Sequence, residues 1–275
     1  MIQLCQKPDD MRAAALSNVG LTRSKNEDAY WCDQERGVFI VADGIGSQLA
    51  GEVASGAAVE VISAELTLAV DLGLKDTQLS DAMFESFREA AEEIFNRSKE
   101  SEDYSGMACS AIAAVFQDGN CVLAHAGDSR AYLFSENSLH QITVDDTPVA
   151  VLVKRGYLLP EKARSHHLKN VLTKSIGSKP TVEANLTRFP VKIDEKILLC
   201  SDGLWAMLSL EEMNEILREN PEPEEACREL IAAARSHGGQ DNITAILIQM
   251  DESGSVSLQE SSAEEVHRYS FETDI

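Results

Sequence analysis

Five aspartates in this 275-residue chain lie at the ends of apolar runs or in the turns between them, where a carboxylate can bind a ligand or take part in catalysis. In chain order they are Asp28, Asp43, Asp128, Asp202 and Asp241. A single aspartate beside glycine in a turn is most often a turn residue that bonds to its own backbone. The repetition of this arrangement in distant parts of the chain instead predicts that the carboxylates meet in one cleft.

A cleft lined by four or more carboxylates predicts bound cations. Like charges in a partly dry site repel one another strongly unless divalent ions lie among them. Ligand sets made only of carboxylate and carbonyl oxygens are hard, which favours Mn²⁺ or Mg²⁺ over zinc or copper. Glycine lets the backbone bend tightly, so the carbonyl of Gly44, directly after Asp43, is a further candidate ligand. Glu27, next to Asp28, is another.

Two hard cations side by side favour phosphoryl transfer. Such ions, about 3.5–4 Å apart, lower the pKa of a bridging water and hold the oxygens of a phosphoester during in-line attack. The phosphate dianion then needs a fixed cation, and an arginine can bind two of its oxygens at once. Arg23, shortly before Asp28, is the candidate. A surface ion pair is the alternative role for this side chain.

Short strands with helices between them must position these residues. Apolar runs typical of strands occupy residues 38–42, 121–126, 131–134, 197–200 and 243–248. The second and third of these runs flank a short turn at 127–130, so we expect them to form a hairpin. Asp128 would then lie in the turn of that hairpin.

Helical spacing of apolar residues appears in four places. The expected helices cover 50–70, 79–99, a segment from Ser209 to before Pro221, and 224–236. Ser209 and Glu212 have the spacing of a capping box. Runs of strands with helices gathered beside them predict an α+β domain with mostly antiparallel sheets, and a doubly wound parallel sheet is the less favoured alternative.

Length and charge narrow the class of protein. A chain of this length supports one large domain or two modest ones. The 46 acidic and 24 basic residues give a formal charge of −22, which repels the phosphates of nucleic acids and the anionic face of a membrane. We find no run of the roughly 20 apolar residues that a membrane helix needs and no signal-peptide core. Nucleic-acid binding and membrane insertion are therefore not expected. We expect a cytoplasmic protein.

Two segments depart from this pattern. Residues 145–170 are polar and weakly periodic, which in a compact domain favours a flap over a site. Residues 251–275 carry seven acidic residues against one arginine and are rich in serine, which predicts a solvated tail. We therefore expect a single catalytic domain over 1–250 and an acidic, flexible C-terminal tail over 251–275.

Six motifs in series resemble one known family. They are Arg-x-x-Asn-Glu-Asp at 23–28, Val-Ala-Asp-Gly-Ile-Gly at 41–46, Gly-Asp-Ser-Arg at 127–130, Leu-Thr-Lys-Ser-Ile-Gly at 172–177, Ser-Asp-Gly-Leu-Trp at 201–205 and Gln-Asp-Asn-Ile-Thr at 240–244. Each motif would mean little alone. Their order and spacing over about residues 12–250 resemble the metal-dependent serine/threonine protein phosphatases, the type 2C family, in their bacterial form.

The resemblance implies a fold and a metal centre. The fold would be two stacked, mostly antiparallel sheets flanked by pairs of helices, a four-layer α/β/β/α sandwich, with a binuclear Mn²⁺ or Mg²⁺ centre at one edge. Asp43 would bridge both ions. The carbonyl of Gly44 and the carboxylate of Asp28 or Glu27 would complete their coordination directly or through water.

The resemblance also implies roles for the remaining candidates. Asp202 and Asp241 would hold the inner ion, and Asp128 together with Asp202 would hold a third, weaker ion. Arg23 would bind the phosphate. The segment 145–170 would correspond to the mobile flap that contributes to substrate choice in these enzymes.

The implied activity is hydrolysis of phosphoserine and phosphothreonine in proteins. A metal-bridging water or hydroxide would attack phosphorus directly, without a phosphoenzyme. The partners would be phosphorylated substrates of a cognate serine/threonine kinase, or the kinase itself. Ile45 stands where some eukaryotic members have a histidine proposed as general acid, so the proton donor for the leaving group stays unassigned.

Two alternatives stay open. Ser47, Met107 and Ala108 depart from the residues usual in the family, which together with the acidic tail favours a catalytically weak, phosphoprotein-binding adaptor of the same fold. A two-metal enzyme for another phosphoester, such as a nuclease, is the other alternative. The net charge argues against that polyanionic substrate.

Overall fold

A computed structural model describes residues 11–46, 50–163 and 165–251. Over these residues the chain forms ten β-strands and seven α-helices. The strands are β1 (Met11–Asn18), β2 (Asp28–Asp33), β3 (Val38–Ile45), β4 (Ala108–Gln117), β5 (Asn120–Ala126), β6 (Arg130–Ser135), β7 (Ser138–Gln141), β8 (Asn185–Pro190), β9 (Lys196–Cys200) and β10 (Ile243–Met250). The helices are α1 (Ala50–Asp71), α2 (Asp76–Arg97), α3 (Pro148–Lys154), α4 (Pro160–Ala163), α5 (Asp202–Trp205), α6 (Leu210–Glu219) and α7 (Pro223–Ser236).

The strands form two five-stranded sheets. The first sheet has the order β1-β10-β9-β6-β7 and the second sheet has the order β2-β3-β4-β5-β8. Every pairing between these strands is antiparallel. The inner faces meet in an apolar core to which the second sheet contributes Phe39 and Leu123 and the first sheet contributes Leu199 and Ile246. Removing these side chains from water stabilises the stacking of the two sheets.

Helices cover the outer face of each sheet. α1 and α2 pack against one another and on the second sheet around Ile62, Phe87 and Ile94. α6 and α7 pack on the first sheet around Leu217 and Leu230. The predicted α+β class, with two antiparallel sheets between pairs of helices, is confirmed, and the parallel alternative is wrong.

The helices expected from apolar spacing are confirmed with shifts of a few residues. The helix predicted over 50–70 is α1, and the one predicted over 79–99 is α2. The capping box of α6 is present, because Ser209 Oγ accepts a hydrogen bond from Glu212 N at 3.1 Å and Glu212 Oε2 accepts one from Ser209 N at 2.7 Å. These bonds satisfy two amide groups at the start of the helix, one of them a first-turn donor that has no partner within α6.

The hairpin expected across residues 127–130 is wrong. β5 pairs with β4 and β8 in the second sheet, whereas β6 pairs with β7 and β9 in the first. Gly127 has a φ of +110°, which L side chains rarely adopt, and a Cβ there would lie 2.3 Å from the Cβ of Ser110. The chain crosses from one sheet to the other at this glycine, so Asp128 lies at the junction of the two sheets.

α1 corrects the expectation that no apolar run is long enough to cross a membrane. This helix of 22 residues reaches a mean hydropathy of 1.6, which meets that requirement by length and composition alone. Half of its most apolar window is buried inside the protein, and Ile62 and Leu66 lie in the core against the second sheet. The apolar character of α1 therefore suits a helix of the core.

The segment 145–170 contains more helix than its weak periodicity suggests. α3 begins with Pro148 in its first turn, and Thr147 Oγ1 caps it by accepting a hydrogen bond from Ala150 N at 3.1 Å. Tyr157 and Leu159, between α3 and α4, are among the most exposed large apolar side chains. The role of the segment 145–170 as a flap stays a prediction.

Some expectations fall outside the described residues. Ser47 and residues 1–10 and 252–275 belong to this group. β10 ends at Met250, which is compatible with a domain boundary there. The division into a domain over 1–250 and a flexible tail over 251–275 stays a prediction.

Candidate metal centre

The pairing of β2 with β3 places two of the predicted carboxylates side by side. Asp28 lies directly opposite Asp43 in this antiparallel pair. Residues directly opposite one another present their side chains on the same face of the sheet, with Cβ atoms about 4.5–5.5 Å apart. The two acidic side chains therefore occupy one face at the edge of the second sheet.

Asp202 and Asp241 reach the site from the first sheet. β9 ends at Cys200, and Asp202 begins α5 directly afterwards. A Cβ at Gly203 would lie 1.9 Å from the carbonyl oxygen of Asn242, so only glycine lets α5 approach the segment that carries Asp241. The expectation that Asp202 follows a strand and Asp241 precedes one is confirmed.

Asp128 is held at the sheet junction by the residues around it. Its side chain is largely buried, and its carbonyl oxygen accepts a hydrogen bond from Trp205 Nε1 at 3.0 Å. The Arg130 guanidinium lies 3.5 Å from the centre of the Trp205 ring and donates two hydrogen bonds to Asp145, at 2.9 and 2.7 Å. This arrangement commits Arg130 to Asp145, while the charge of Asp202 acts on the Asp128 carboxylate.

The five aspartates form one electrostatic cluster. Burial raises the pKa of Asp43 far above its ordinary value, and the charges of Asp202 and Asp28 raise it further. Burial raises the pKa of Asp28 to about 7, and burial with repulsion from Asp202 raises the pKa of Asp128 to about 7. Burial with repulsion from Asp241 raises the pKa of Asp202 to about 6. The structure therefore brings together the carboxylates that the sequence predicts to meet.

Glycine is required at position 44 by the close approach of two backbone segments. A Cβ there would lie 2.1 Å from the carbonyl oxygen of Gly51 and 2.6 Å from that of Glu27. Gly44 N donates a hydrogen bond to the same Glu27 oxygen at 3.1 Å. The Glu27 carboxylate lies against the start of α1, and burial raises its pKa. Glu27 and Gly44 are thus held next to Asp43.

Arg23 forms an ion pair at the edge of this cluster. Its Nη2 lies 2.8 Å from Asp241 Oδ2, and its Nη1 lies 4.0 Å from Glu27 Oε2. The side chain is 49% exposed, so it can move without disturbing the core. The ion-pair alternative is thus present in the structure, and the phosphate-binding role stays a prediction.

The donor set fits hard cations. All of the candidate donors are oxygens, and Asp28 Oδ1 is buried without a hydrogen-bond partner. Within the described residues no three acidic, histidine or cysteine side chains converge closely enough to enclose an ion by themselves. Mg²⁺ usually keeps several waters and takes only one or two protein carboxylates, so this open arrangement suits it.

Comparison with known proteins decides the family. A protein-family model described as "Protein phosphatase 2C" matches residues 22–247, which is most of the chain and includes all five aspartates. The chain belongs to the protein phosphatase 2C family. It is therefore a metal-dependent phosphoprotein phosphatase, and the predicted family is confirmed.

Relatives of this protein phosphatase 2C chain are bacterial enzymes. It is 34% identical over 244 residues to the serine/threonine phosphatase stp of Listeria monocytogenes, which covers 88% of this chain and 96% of the relative. It is 32% identical over 252 residues to the protein phosphatase PhpP of Streptococcus pneumoniae, with 88% and 98% covered. The crystal structure of the catalytic domain of PstP in complex with two manganese ions matches with a TM-score of 0.77 and 33% identity, over 88% of this chain and 99% of that one.

Sequence reasoning missed the hydroxyl groups that surround one phosphatase carboxylate. Asp28 Oδ2 accepts hydrogen bonds from Ser201 Oγ at 2.7 Å and from Thr244 Oγ1 at 2.6 Å. Ser201 directly precedes Asp202, and Thr244 lies shortly after Asp241. Their position beside predicted metal ligands is the sequence signal that could have indicated these two residues. They become a further part of the site once the geometry is known.

Proposed function

We propose that the chain hydrolyses phosphoserine and phosphothreonine in proteins at a centre of two Mn²⁺ or Mg²⁺ ions, by direct attack of water on phosphorus. The observation that carries this proposal is that five buried or half-buried aspartates, supplied from both sheets, lie near enough for their charges to act on one another. Such a concentration of like charge destabilises the fold at neutral pH unless cations share the site. The similarity to bacterial serine/threonine phosphatases and the two manganese ions in the PstP structure support it.

Each candidate ligand has a role in this proposal. Asp43, on which the charges of the other carboxylates act, would bridge both ions, and the Gly44 carbonyl and Glu27 or Asp28 would contribute directly or through water. Asp202 and Asp241, which adjoin strands of the first sheet, would hold the inner ion. When bound, two such ions lower the pKa of a water and neutralise the charge of the phosphoester.

Asp128 and Arg23 complete the proposal. Asp128 and Asp202, whose charges act on one another, would hold a third, weaker ion. Arg23 releases Asp241 and binds the phosphate dianion, because a guanidinium donates two parallel hydrogen bonds to phosphate oxygens. Its exposed position at the rim of the cluster permits this exchange.

Phosphoproteins of the cytoplasm are the proposed substrates. The net charge of −22 disfavours nucleic acids, which argues against the nuclease alternative. The relatives' names specify serine/threonine phosphatases, so a cognate serine/threonine kinase, or its substrates, is the proposed partner. The same charge disfavours an anionic membrane surface.

The test is phosphate release from a panel of substrates by the full chain. We expect release from phosphoserine and phosphothreonine peptides in the presence of Mn²⁺, no release after chelation, and no cleavage of oligonucleotides. Tight phosphopeptide binding without phosphate release under saturating Mn²⁺ would instead support the adaptor alternative. Cleavage of oligonucleotides alone would overturn the proposal in favour of a nuclease.

Arg23→Ala is expected to lower kcat/KM for phosphopeptides by about 10- to 100-fold, because the net loss of hydrogen bonding to a charged donor at this exposed position is expected to cost about as much as one such bond, about 1.5–3 kcal/mol. Steady-state kinetics at saturating Mn²⁺ measure this effect. Arg36→Ala is the matched control, since Arg36 is similarly exposed and forms ion pairs with Asp33 and Asp71 away from the site. Equal kinetics for the Arg23 variant and wild type would contradict phosphate binding by Arg23.

A further inference from the structure

We propose that Ser17, Thr244 and Ser201 form a hydroxyl relay that fixes the Asp28 carboxylate with one oxygen saturated and the other free to face the metal centre. This inference rests on the proposed function, because it concerns how Asp28 is held for the ions. The three hydroxyl residues are positioning residues, since they act through Asp28.

Both hydroxyl donors converge on one oxygen of Asp28. Thr244 Oγ1 and Ser201 Oγ donate to Oδ2 at 2.6 and 2.7 Å, while Oδ1 is buried and has no hydrogen-bond partner. Thr244 and Ser201 are themselves fully buried. A rotation of the carboxylate would break two charge-assisted hydrogen bonds, which are the stronger kind.

The proton count gives the relay one direction. A threonine or serine hydroxyl carries a single proton, and the Thr244 proton is committed to Asp28. Thr244 Oγ1 must therefore accept the proton of Ser17 Oγ, which lies 2.7 Å away. Ser17 Oγ in turn accepts a hydrogen bond from Asn26 Nδ2 at 2.7 Å, and Asn26 Oδ1 accepts one from Asp28 N at 3.3 Å. The hydrogen bonds therefore form a closed circuit that runs from Asp28 N through Asn26, Ser17 and Thr244 to the Asp28 carboxylate.

The relay exists because of how the sheets meet. Ser17 and Thr244 are opposite residues of β1 and β10 in the first sheet. Ser201 follows β9 in that sheet, and its Oγ accepts a hydrogen bond from Thr244 N at 3.0 Å. Asp28 begins β2 in the second sheet. Hydroxyl groups of one sheet therefore orient a carboxylate of the other at the edge where the carboxylates gather.

Thr244→Val tests the relay, because valine keeps the shape of threonine and removes its hydroxyl. Titration calorimetry of the full chain with Mn²⁺ is expected to show an affinity weaker by about tenfold, the lower end of the effect of removing groups that orient metal ligands. Thr244→Ser restores the hydroxyl and is expected to restore the affinity. Ser17→Ala leaves Thr244 in place and is expected to weaken binding in the same direction.

A control variant separates the orientation of Asp28 from a general loss of stability. Ser135→Ala is the matched control, because Ser135 Oγ donates to the Glu195 carboxylate at 2.8 Å in the same sheet, away from the site. We expect this variant to bind Mn²⁺ like wild type. Urea denaturation of the chelated proteins identifies any variant that does not fold. If Thr244→Val does not fold, the Mn²⁺ affinity of Ser17→Ala tests the relay.

The outcomes separate this inference from the proposed function. Wild-type Mn²⁺ affinity in both Thr244→Val and Ser17→Ala, with a loss of stability alone, would overturn the relay and leave the metal centre intact. Failure of the wild-type chain to bind Mn²⁺ would overturn the proposed function and the relay with it.

Discussion

Asp43→Asn is expected to lower Mn²⁺-dependent phosphopeptide hydrolysis by about 10³-fold or more, because stabilisation by hard cations is worth several kcal/mol in the transition state. Asparagine keeps the size of the side chain and one oxygen but removes the charge. Asp43 lies opposite Asp28, and the charge of Asp202 also acts on it. Acidic side chains from both sheets act on Asp43, so the loss of its charge is expected to weaken metal binding strongly.

The stability of this variant should change in the opposite direction from its activity. One negative charge leaves a crowded cluster, so the chelated variant is expected to unfold at a higher temperature than the chelated wild type. Asp33→Asn is the matched control, because Asp33 ends β2, the strand that pairs with the strand of Asp43, and contacts Arg36 away from the site. Full turnover by Asp43→Asn would refute the proposed role of Asp43. Loss of activity accompanied by unfolding would show that the charge serves the fold instead.

The parts of the fold that sequence reasoning predicts are those coded locally. The capping box at Ser209 and Glu212 and the apolar spacing of α1 and α2 are each contained in a short segment. Strand pairing is not coded in this way, because an apolar run shows that a strand is buried but not which strand lies beside it. The crossing at Gly127, which the turn-like sequence made resemble a hairpin, depends on the neighbours that β5 and β6 find in different sheets.

The same distinction applies to the site. The carboxylates could be predicted because aspartates recur at strand ends and in turns along this chain, three of them beside glycine. Ser17 could not be predicted, because serine is ordinary in a strand and gains a role only through the register of β1 against β10. Arg23 lies between these cases: its type suited phosphate, yet its ion pair with Asp241 became visible only in three dimensions.

The chelated protein is expected to lose stability as the pH rises from about 4 to about 8. Asp28 and Asp128 have their pKa values raised to about 7, and Asp202 has its pKa raised to about 6, chiefly by burial. In the unfolded chain these groups titrate near pH 4, so between the two values the folded state holds more protons than the unfolded state. Their stabilising contribution is complete below about pH 4 and is lost above about pH 7, at up to about 1.4 kcal/mol per pH unit for each group.

Bound ions should reverse this loss, because a carboxylate must be deprotonated to bind a metal. Urea denaturation at pH 5, 6, 7 and 8 is therefore expected to show that Mn²⁺ raises the free energy of unfolding more at pH 8 than at pH 5. Asp202→Asn should flatten the pH dependence of the chelated protein, whereas Asp118→Asn, at an exposed ion pair with Lys75, should leave it unchanged. A chelated wild type whose stability is constant or rises over this range would contradict the crowding of charge on which the metal centre depends. The carboxylates that make the stability of the apoprotein depend on pH are the same ones that favour the binding of two divalent ions.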